Sequence, residues 1–312
     1  MTQRNCKIGG AAALFLVLGF SAGCGGGSGT TQVSTPTTFT TIDGPGGGPT
    51  TFNGISSGGT VVGLTTNNGA NANFLRDPDG TITPLNIGDP AAGMANGVNY
   101  QKSVVGVANN AAFLLANGKQ SVQTPPNSTA SIAFGINDSG VIVGQYTAAG
   151  GNLLGFVEEN GNFTTIMPVA SATVTNVQAI NNKGTTVGFY SADGVHQHGF
   201  SYNIRSKQTT LLPDPSTART VSTGLTLTQF LGVNDNNEAV GYYQTGNGSQ
   251  FGFLYNLTTR AYTFLDAPLA VPVNGVQITQ ITGVSNAGVI TGFFVDAQGA
   301  QHGFVASPPS GN

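Results

Sequence analysis

Charged residues are scarce in this chain of 312 residues: only 7% are Asp, Glu, Lys or Arg, and 13 acidic side chains outnumber 10 basic ones. The basic residues are scattered along the sequence and form no cluster. Because neutralising the phosphates of nucleic acid requires clustered Lys and Arg side chains, no nucleic acid is expected as a partner. The surface must instead be solvated largely by Thr, Asn, Ser and Gln.

Cysteine is also rare, and the chain contains only Cys6 and Cys24. Basic residues flank Cys6, and a mostly apolar stretch follows over residues 8–20. That stretch is shorter than the roughly 20 apolar residues needed to span a membrane, so residues 1–23 are predicted to be a cleaved signal peptide. A mature chain that has lost Cys6 could form no internal disulfide.

The segment FSAGC, which ends at Cys24, resembles the lipobox of bacterial lipoproteins, although Ser21 stands where leucine is usual. The resemblance implies that Cys24 becomes the lipidated first residue of an exported protein that is anchored to a bacterial membrane. Plain secretion is the alternative, and an uncleaved anchor is less favoured. Gly25 stands where many lipoproteins of the inner membrane have aspartate, so the outer membrane is the expected location, facing either the periplasm or the cell surface.

Residues 24–37 are predicted to comprise the lipidated cysteine and a flexible tether rich in Gly, Ser and Thr. Beyond the tether no long window shows the apolar spacing of an amphipathic helix. Short runs of Val, Ile, Thr, Phe and Tyr between turn residues predict β-strands instead. Residues 38–312 are therefore predicted to form a single all-β domain.

A unit of constant internal spacing recurs along this domain. It opens with a segment such as GINDSGVIVG, residues 135–144, and in the later units a small residue followed by Phe begins twenty positions after the start. The six units start at Gly54, Gly97, Gly135, Ala179, Gly232 and Gly283. Their spacing, from 38 residues (97 to 135) to 53 residues (179 to 232), fits a four-stranded propeller blade better than a coil of a parallel β-helix.

The two ends of the domain predict how the repeats close. The sixth unit ends after HGFVAS, residues 302–307, without an outer strand, whereas an orphan TFTTID segment at residues 38–43 precedes the first unit. An N-terminal strand that completes the last blade explains both observations and removes an exposed sheet edge. The predicted fold is thus a six-bladed β-propeller of four-stranded antiparallel blades, closed by that strand, with the repeated Phe residues packed between blades.

The repeats resemble the bacterial extracellular HAF family, named after a His-Ala-Phe triplet. The likeness rests on GINDSGVIVG, on GVNDNNEAVG and on the QHGF segments at residues 197–200 and 301–304. Gly replaces the central Ala here, NAAF at residues 110–113 is the nearest match, and the first and fifth units lack the His. The resemblance implies an extracellular location and a repeat architecture, and it carries no catalytic residues.

Few sequence features suggest a nucleophile or a metal. The chain has no GxSxG motif, and turns such as NDSG lack the ligand pattern of an EF-hand calcium loop. His196 and His198 form an HxH pair, but no carboxylate stands at a fixed spacing to complete a ligand set. His198 and His302 occupy equivalent repeat positions, which favours a structural role. Neither a metal site nor a cofactor is expected.

Two carboxylate pairs, Glu158–Glu159 and Asp77–Asp79, are close enough in sequence for acid–base chemistry. Both pairs lie beside glycine in short connections between third and fourth strands, where solvated turns are the ordinary interpretation. An extracellular hydrolase or lyase acting on polysaccharide stays open as the alternative function, because such a site can be assembled from single residues on different blades.

The favoured function is a non-catalytic binding or surface-interaction module. Four connections that should open on one face of the propeller vary in length and chemistry, at residues 191–197, 213–226, 244–250 and 267–277. Such loops on a rigid scaffold commonly carry recognition, although tolerated insertions are the plain alternative. The expected partner is a glycan, another cell-envelope polymer or a surface protein. The predicted ligand contacts are Tyr190, Asp193, His196, Gln197, Tyr242, Tyr243, Gln244, Asn247, Gln250 and Asn274.

Overall fold

The computed structural model describes residues 38–89 and 92–307. The predicted signal peptide, Cys24 and the tether lie outside the described residues. Within the described part of the chain, no helix is both long and apolar enough to cross a membrane.

Almost all regular structure is β-strand. The first eleven strands are β1 (Thr38–Ile42), β2 (Thr50–Ile55), β3 (Val61–Asn67), β4 (Ala70–Arg76), β5 (Ile82–Pro84), β6 (Met94–Val98), β7 (Val104–Ala108), β8 (Ala111–Ala116), β9 (Lys119–Val122), β10 (Ser128–Ile136) and β11 (Ile142–Ala148). They are followed by β12 (Leu153–Glu159), β13 (Asn162–Ile166), β14 (Val174–Ile180), β15 (Thr185–Ser191), β16 (His198–Asn203), β17 (Gln208–Leu211), the helix α1 (Ala218–Thr223), β18 (Leu225–Val233), β19 (Glu238–Thr245), β20 (Gln250–Asn256), β21 (Ala261–Leu265), β22 (Thr279–Val284), β23 (Ile290–Val295) and β24 (Gln301–Ser307).

These strands form six antiparallel groups of four, called units here and numbered in chain order. The units are β2–β5, β6–β9, β10–β13, β14–β17, β18–β21 and, last, β22–β24 together with β1. The arrangement is that of a β-propeller, in which the first strand of each unit lies nearest the axis.

The prediction of six separate four-stranded sheets needs a correction. Four sheets are separate, whereas units three and four form one eight-stranded sheet, because Leu153 of β12 pairs in parallel with Val174 of β14. Similar parallel bridges join Gln197 to Leu227 and Gln250 to Ile278, but each is isolated, because Gln197 and Ile278 lie just outside the strands. The third strand of one unit thus lies close beside the inner strand of the next, and at one junction a single bridge between two strand residues joins two units into one sheet.

The N-terminal strand β1 pairs with β24 of the sixth unit, in a register running from Thr38 opposite Ser307 to Ile42 opposite Gly303. The ring of Phe39 stacks on that of Phe304 with centroids 4.9 Å apart. The sixth unit therefore takes its outer strand from the beginning of the described chain, as the orphan segment predicted.

The repeated Phe residues are buried, as expected. Phe74, Phe113, Phe156, Phe200, Phe253 and Phe304 are each at most 2% exposed. Apolar burial on this scale is the main source of stability between neighbouring units.

The repeated glycine of the second strand is explained by a close backbone approach. A Cβ atom on Gly188 would lie 1.9 Å from the carbonyl oxygen of Asn176, on the paired inner strand. The inner strand has a bulge at this point, because the register with β15 shifts between Val177 and Ala179. The same shift recurs in all six inner strands, so each bulge crowds the strand beside it and requires glycine there.

The connection between units four and five contains α1, a helix of six residues. Thr217 caps its N-terminus, and the side chains of Thr217 and Thr220 form a capping box. Gly224 ends it with a φ of 78°, a left-handed value that favours glycine. The helix is too short to show an apolar period, so its signal lies only in its caps.

Candidate functional site

The six inner strands converge on an axial channel that contains two small cavities. Both cavities are bounded by one ring of aliphatic side chains, contributed by every inner strand. The ring consists of Ile55, Val98, Ile136, Ile180, Val233 and Val284. The cavity on one side of this ring opens among the turns that follow the inner strands, a side called the turn face here. The opposite side, where second strands connect to third strands and each unit connects to the next, is called the loop face.

Asparagine side chains link neighbouring units at the turn face. The Nδ2 group of Asn137 donates to the carbonyl oxygen of Asn181 at 3.2 Å, and that of Asn181 donates to the carbonyl of Asn234 at 2.8 Å. Equivalent bonds run from Asn99 to Asn137 and from Asn234 to Ser285. The Oδ1 atom of Asn181 also accepts the backbone N–H of Thr185 in its own turn. The repeated Asn of each GIN segment therefore holds its turn and the next unit together.

A polar rim around the turn-face cavity is formed by Asp138, Asn182, Asp235 and Asn286, each one position further along its turn. Asn182 donates through Nδ2 to Asp138 at 2.7 Å and to Asp235 at 3.0 Å, and Asn286 donates to the same Asp235 oxygen at 2.7 Å. The other oxygen of Asp138 accepts the N–H of Tyr100. Sequence analysis did not bring Asp138 and Asp235 together, although their shared position after the repeated Asn was a usable signal.

The three predicted tyrosine contacts are largely withdrawn from solvent. Tyr243 is 0% exposed, Tyr242 is 7% exposed and Tyr190 is 9% exposed. Burial raises the pKa of Tyr242 to about 12. Their strands end at the loop face as predicted, but the side chains pack into the core, so a surface ligand could touch little of them. The role of the tyrosines as ligand contacts, like the binding site itself, stays a prediction.

The predicted glutamines meet at two junctions between units on the loop face. Gln229 donates through Nε2 to Oε1 of Gln197 at 2.5 Å, which joins units four and five. Gln280 donates to Oε1 of Gln250 at 2.7 Å, which joins units five and six, and Gln250 in turn donates to Gln244 at 3.0 Å. These amide pairs therefore bring part of the predicted site together across neighbouring units.

Two other predicted contacts are exposed in neighbouring loops. Asn247 donates to the carbonyl oxygen of Gly275 at 3.3 Å, which places it beside the exposed Asn274. Gln244 and Gln250 belong to β19 and β20, so the connection between these strands comprises only residues 246–249. The variable loop predicted at residues 244–250 is thus shorter than expected.

Each histidine is paired with a carboxylate. His196 Nδ1 lies 2.7 Å from Asp193 Oδ2, and both side chains are half-exposed. The hydrogen bond from His196 and those from nearby backbone N–H groups lower the pKa of Asp193. His198 Nδ1 lies 2.8 Å from Asp214 Oδ2. Among residues 38–89 and 92–307 no group of three or more His, Cys, Asp or Glu side chains is arranged to hold a metal ion.

The sequence-predicted carboxylate pairs have turn contacts. Glu158 is buried and accepts the N–H of Gly161. Asp77 accepts from Lys102 Nζ at 2.8 Å and from the Thr60 hydroxyl at 3.0 Å. The hydrogen bond from Lys102 lowers the pKa of Asp77. The Glu158 contact holds a turn within unit three, and the Asp77–Lys102 contact connects units one and two.

No family model matches the chain, and no curated protein matches it. Among solved structures, TolB from Acinetobacter baumannii is similar with a TM-score of 0.51 and 12% identity over 72% of this chain, which spans 58% of TolB. A lectin variant from Aleuria aurantia in complex with alpha-methyl-L-fucoside has a TM-score of 0.48 and 16% identity, covering 85% of this chain and 96% of the lectin. A putative gluconolactonase has a TM-score of 0.47 and 11% identity, covering 88% of this chain and 94% of its own. The resemblance to the HAF repeats stays a prediction, and likeness at these identities extends to the fold alone: the chain has the fold of a β-propeller.

Proposed function

We propose that the protein is a non-catalytic binding or surface-interaction module, exported and tethered to the outer membrane through lipidated Cys24. The observation that carries the binding role is the meeting of amide side chains from adjacent units on the loop face. Gln197, Gln229, Gln250 and Gln280 form two paired junctions there, with Asn247 in the neighbouring turn. Amides both donate and accept hydrogen bonds without a net charge, which suits a neutral polar ligand.

The scaffold of this module is proposed to be a closed ring of six blades, with the eight-stranded sheet counted as two. The junction between units six and one supports closure, because Gln301 donates through Nε2 to the Thr51 hydroxyl at 2.7 Å, in the manner of Gln250 and Gln280. Thr282 also donates to the carbonyl oxygen of Phe52 at 2.7 Å. Asn53 makes the equivalent bond from unit one to unit two.

The ligand is proposed to be an uncharged glycan or a glycan-like polymer of the cell envelope. Sugars present many hydroxyl groups. Each can donate a hydrogen bond to an amide oxygen and accept one from an amide N–H group. The axial carboxylates give the polysaccharide-cleaving alternative no support, because the oxygens of Asp138 and Asp235 all accept hydrogen bonds from neighbouring turns. An acid–base pair for glycoside cleavage needs one carboxyl group poised to donate a proton.

The binding role is tested with the mature chain on arrays of neutral oligosaccharides and cell-wall polymers. A variant in which residues 192–196 and 246–249 are replaced by Gly-Asn turns should lose binding and keep most of its thermal stability. The control replaces residues 204–207, a turn between β16 and β17 on the opposite face, and should bind as the native protein does. Native binding by the first variant would place the site elsewhere, and binding of surface proteins alone would replace the glycan assignment.

The proposed membrane location is tested separately. Replacing Cys24 with alanine should remove the lipidation site and move the protein from the membrane fraction to the soluble fraction. A Ser21→Leu variant, which restores the usual lipobox residue, serves as the control and should remain in the membrane fraction. Unchanged membrane association of the alanine variant would contradict the anchor.

A further inference from the structure

We propose that His198, oriented by Asp214, is a hydrogen-bond acceptor for a hydroxyl group of the ligand on the loop face. This inference rests on the proposed binding function and names one of its contacts. His198 is the first residue of β16, directly after the loop at residues 192–197, and Asp214 lies in the connection that follows β17. The pair therefore lies where one variable connection ends and another begins.

The pairing with Asp214 fixes the tautomer of the imidazole. A carboxylate can only accept a hydrogen bond, so the 2.8 Å contact between His198 Nδ1 and Asp214 Oδ2 places the proton of the neutral ring on Nδ1. The other ring nitrogen, Nε2, then carries a lone pair and is an acceptor. No residue of the described chain lies within hydrogen-bond distance of this Nε2 atom.

The side chain of His198 is accessible. It is 43% exposed, and that of Asp214 is 31% exposed. The equivalent residue of unit six, His302, is 22% exposed and uses both ring nitrogens, Nδ1 with Asp43 and Nε2 with Asp296. Both ring nitrogens thus have partners at this repeat position in unit six, whereas one is left without a partner among the described residues in unit four. A purely structural role for His198 would not require that difference.

Neighbouring groups hold Asp214 in place. The hydroxyl of Tyr262, in unit five, donates to the carbonyl oxygen of Pro213 at 2.6 Å and so fixes the backbone beside Asp214. Burial, and then the charge of Asp214, raise the pKa of the Tyr190 hydroxyl, whose ring centroid lies 5.8 Å from that of His198. Tyr190 therefore stays neutral and bounds the site with an aromatic ring.

The chemistry of this position favours an uncharged hydroxyl donor. An anionic ligand would meet the carboxylate of Asp214, and a hydroxyl group can donate directly to the Nε2 lone pair. A hydroxyl group of a sugar ring matches this contact.

The acceptor is tested without a ligand by treating the full mature protein with diethyl pyrocarbonate near pH 7.5, a reagent that acylates an accessible unprotonated imidazole nitrogen. Peptide mass spectrometry should find fast modification of His198 and slow modification of His302. His196, whose exposed ring also leaves one nitrogen free, serves as the positive control. Modification of His198 as slow as that of His302 would overturn the assignment of an open acceptor, whatever the protein binds.

The ligand contact is tested on the array of neutral oligosaccharides. His198→Phe and Asp214→Asn should each weaken the tightest interaction found by about 3- to 10-fold, as expected for one lost hydrogen bond, because the first removes the acceptor and the second releases its tautomer. His302→Gln, at the equivalent position, should bind as the native protein does.

Full binding by both unit-four variants would overturn the proposed contact while leaving the binding function in place. The native protein could also bind no member of the array although His198 is modified rapidly. That outcome would contradict both the proposed binding function and the hydroxyl ligand, and would support only the accessible, unpaired imidazole nitrogen.

Discussion

His302 Nδ1 lies 2.7 Å from Asp43 Oδ1, although the two residues are 259 positions apart. The other ring nitrogen lies 3.1 Å from Asp296, and the ring stacks on Phe294 with centroids 5.4 Å apart. Asp43 directly follows β1, so the imidazole ties the N-terminal strand to the last unit. Burial alone would lower the pKa of His302, but the hydrogen bonds and charges of the two carboxylates raise it above its ordinary value.

The contacts of His302 with Asp43 and Asp296 should make the stability of the protein depend on pH. Because the folded-state pKa of His302 is raised, its contribution to the free energy of unfolding is fully present below the unfolded value near 6.5 and is lost as pH rises through the folded value. Between pH 5 and 9, the melting temperature of the native protein should fall by roughly 1–3 °C on the alkaline side. This fall should be absent in His302→Gln. The effect is small because the imidazole is partly solvated. A His196→Gln variant is the control. An identical pH profile for His302→Gln and the native protein would contradict a stabilising role for the His302 contacts.

Deleting residues 38–43 should expose the edge of β24, because this segment supplies its only partner on that side among the described strands. The truncated protein should aggregate or melt with a broad transition. Phe39→Ala is the milder variant and should cost about 1–2 kcal/mol, since the ring is only partly buried against Phe304. A sharp transition at the native temperature after the deletion would rule out closure by this strand.

Asn181→Ala should be strongly destabilising. The side chain is 4% exposed, donates to the carbonyl of Asn234 and accepts from two N–H groups of its own turn, those of Lys183 and Thr185. Leaving these buried groups without partners should cost about 2–3 kcal/mol in chemical denaturation. Gln298→Ala, at an exposed turn position, should change stability by less than about 0.5 kcal/mol. Equal stability of the two variants would show that the asparagine bonds do not hold the units together.

Gly188→Ala tests the bulge beside the second strand. The added Cβ would meet the Asn176 carbonyl at 1.9 Å, so the backbone must move, and the expected cost is about 3 kcal/mol or more. Gly150→Ala is the matched control, because a Cβ there would meet nothing within 4 Å. Thermal melts that do not separate the two variants would mean that the inner strands pack more loosely than the register indicates.

The sequence by itself determined the repeating unit, its strands and its packing residues. Each of these depends on a local pattern that recurs, so the buried Phe positions and the crowded Gly positions could be identified from spacing alone. The pairing of β1 with β24 could be inferred as well, since a missing strand at one end and a spare strand at the other have one simple joint explanation.

Only the tertiary structure decided which side chains meet across units. Tyr190, Tyr242 and Tyr243 were expected at the surface, but which face of a strand is buried depends on the bulges and on the neighbouring unit. Asn182 joins Asp138 to Asp235, and His302 meets Asp43, only because the units curve around one centre. Such contacts join residues tens to hundreds of positions apart, and no local pattern in the chain encodes the distance between them.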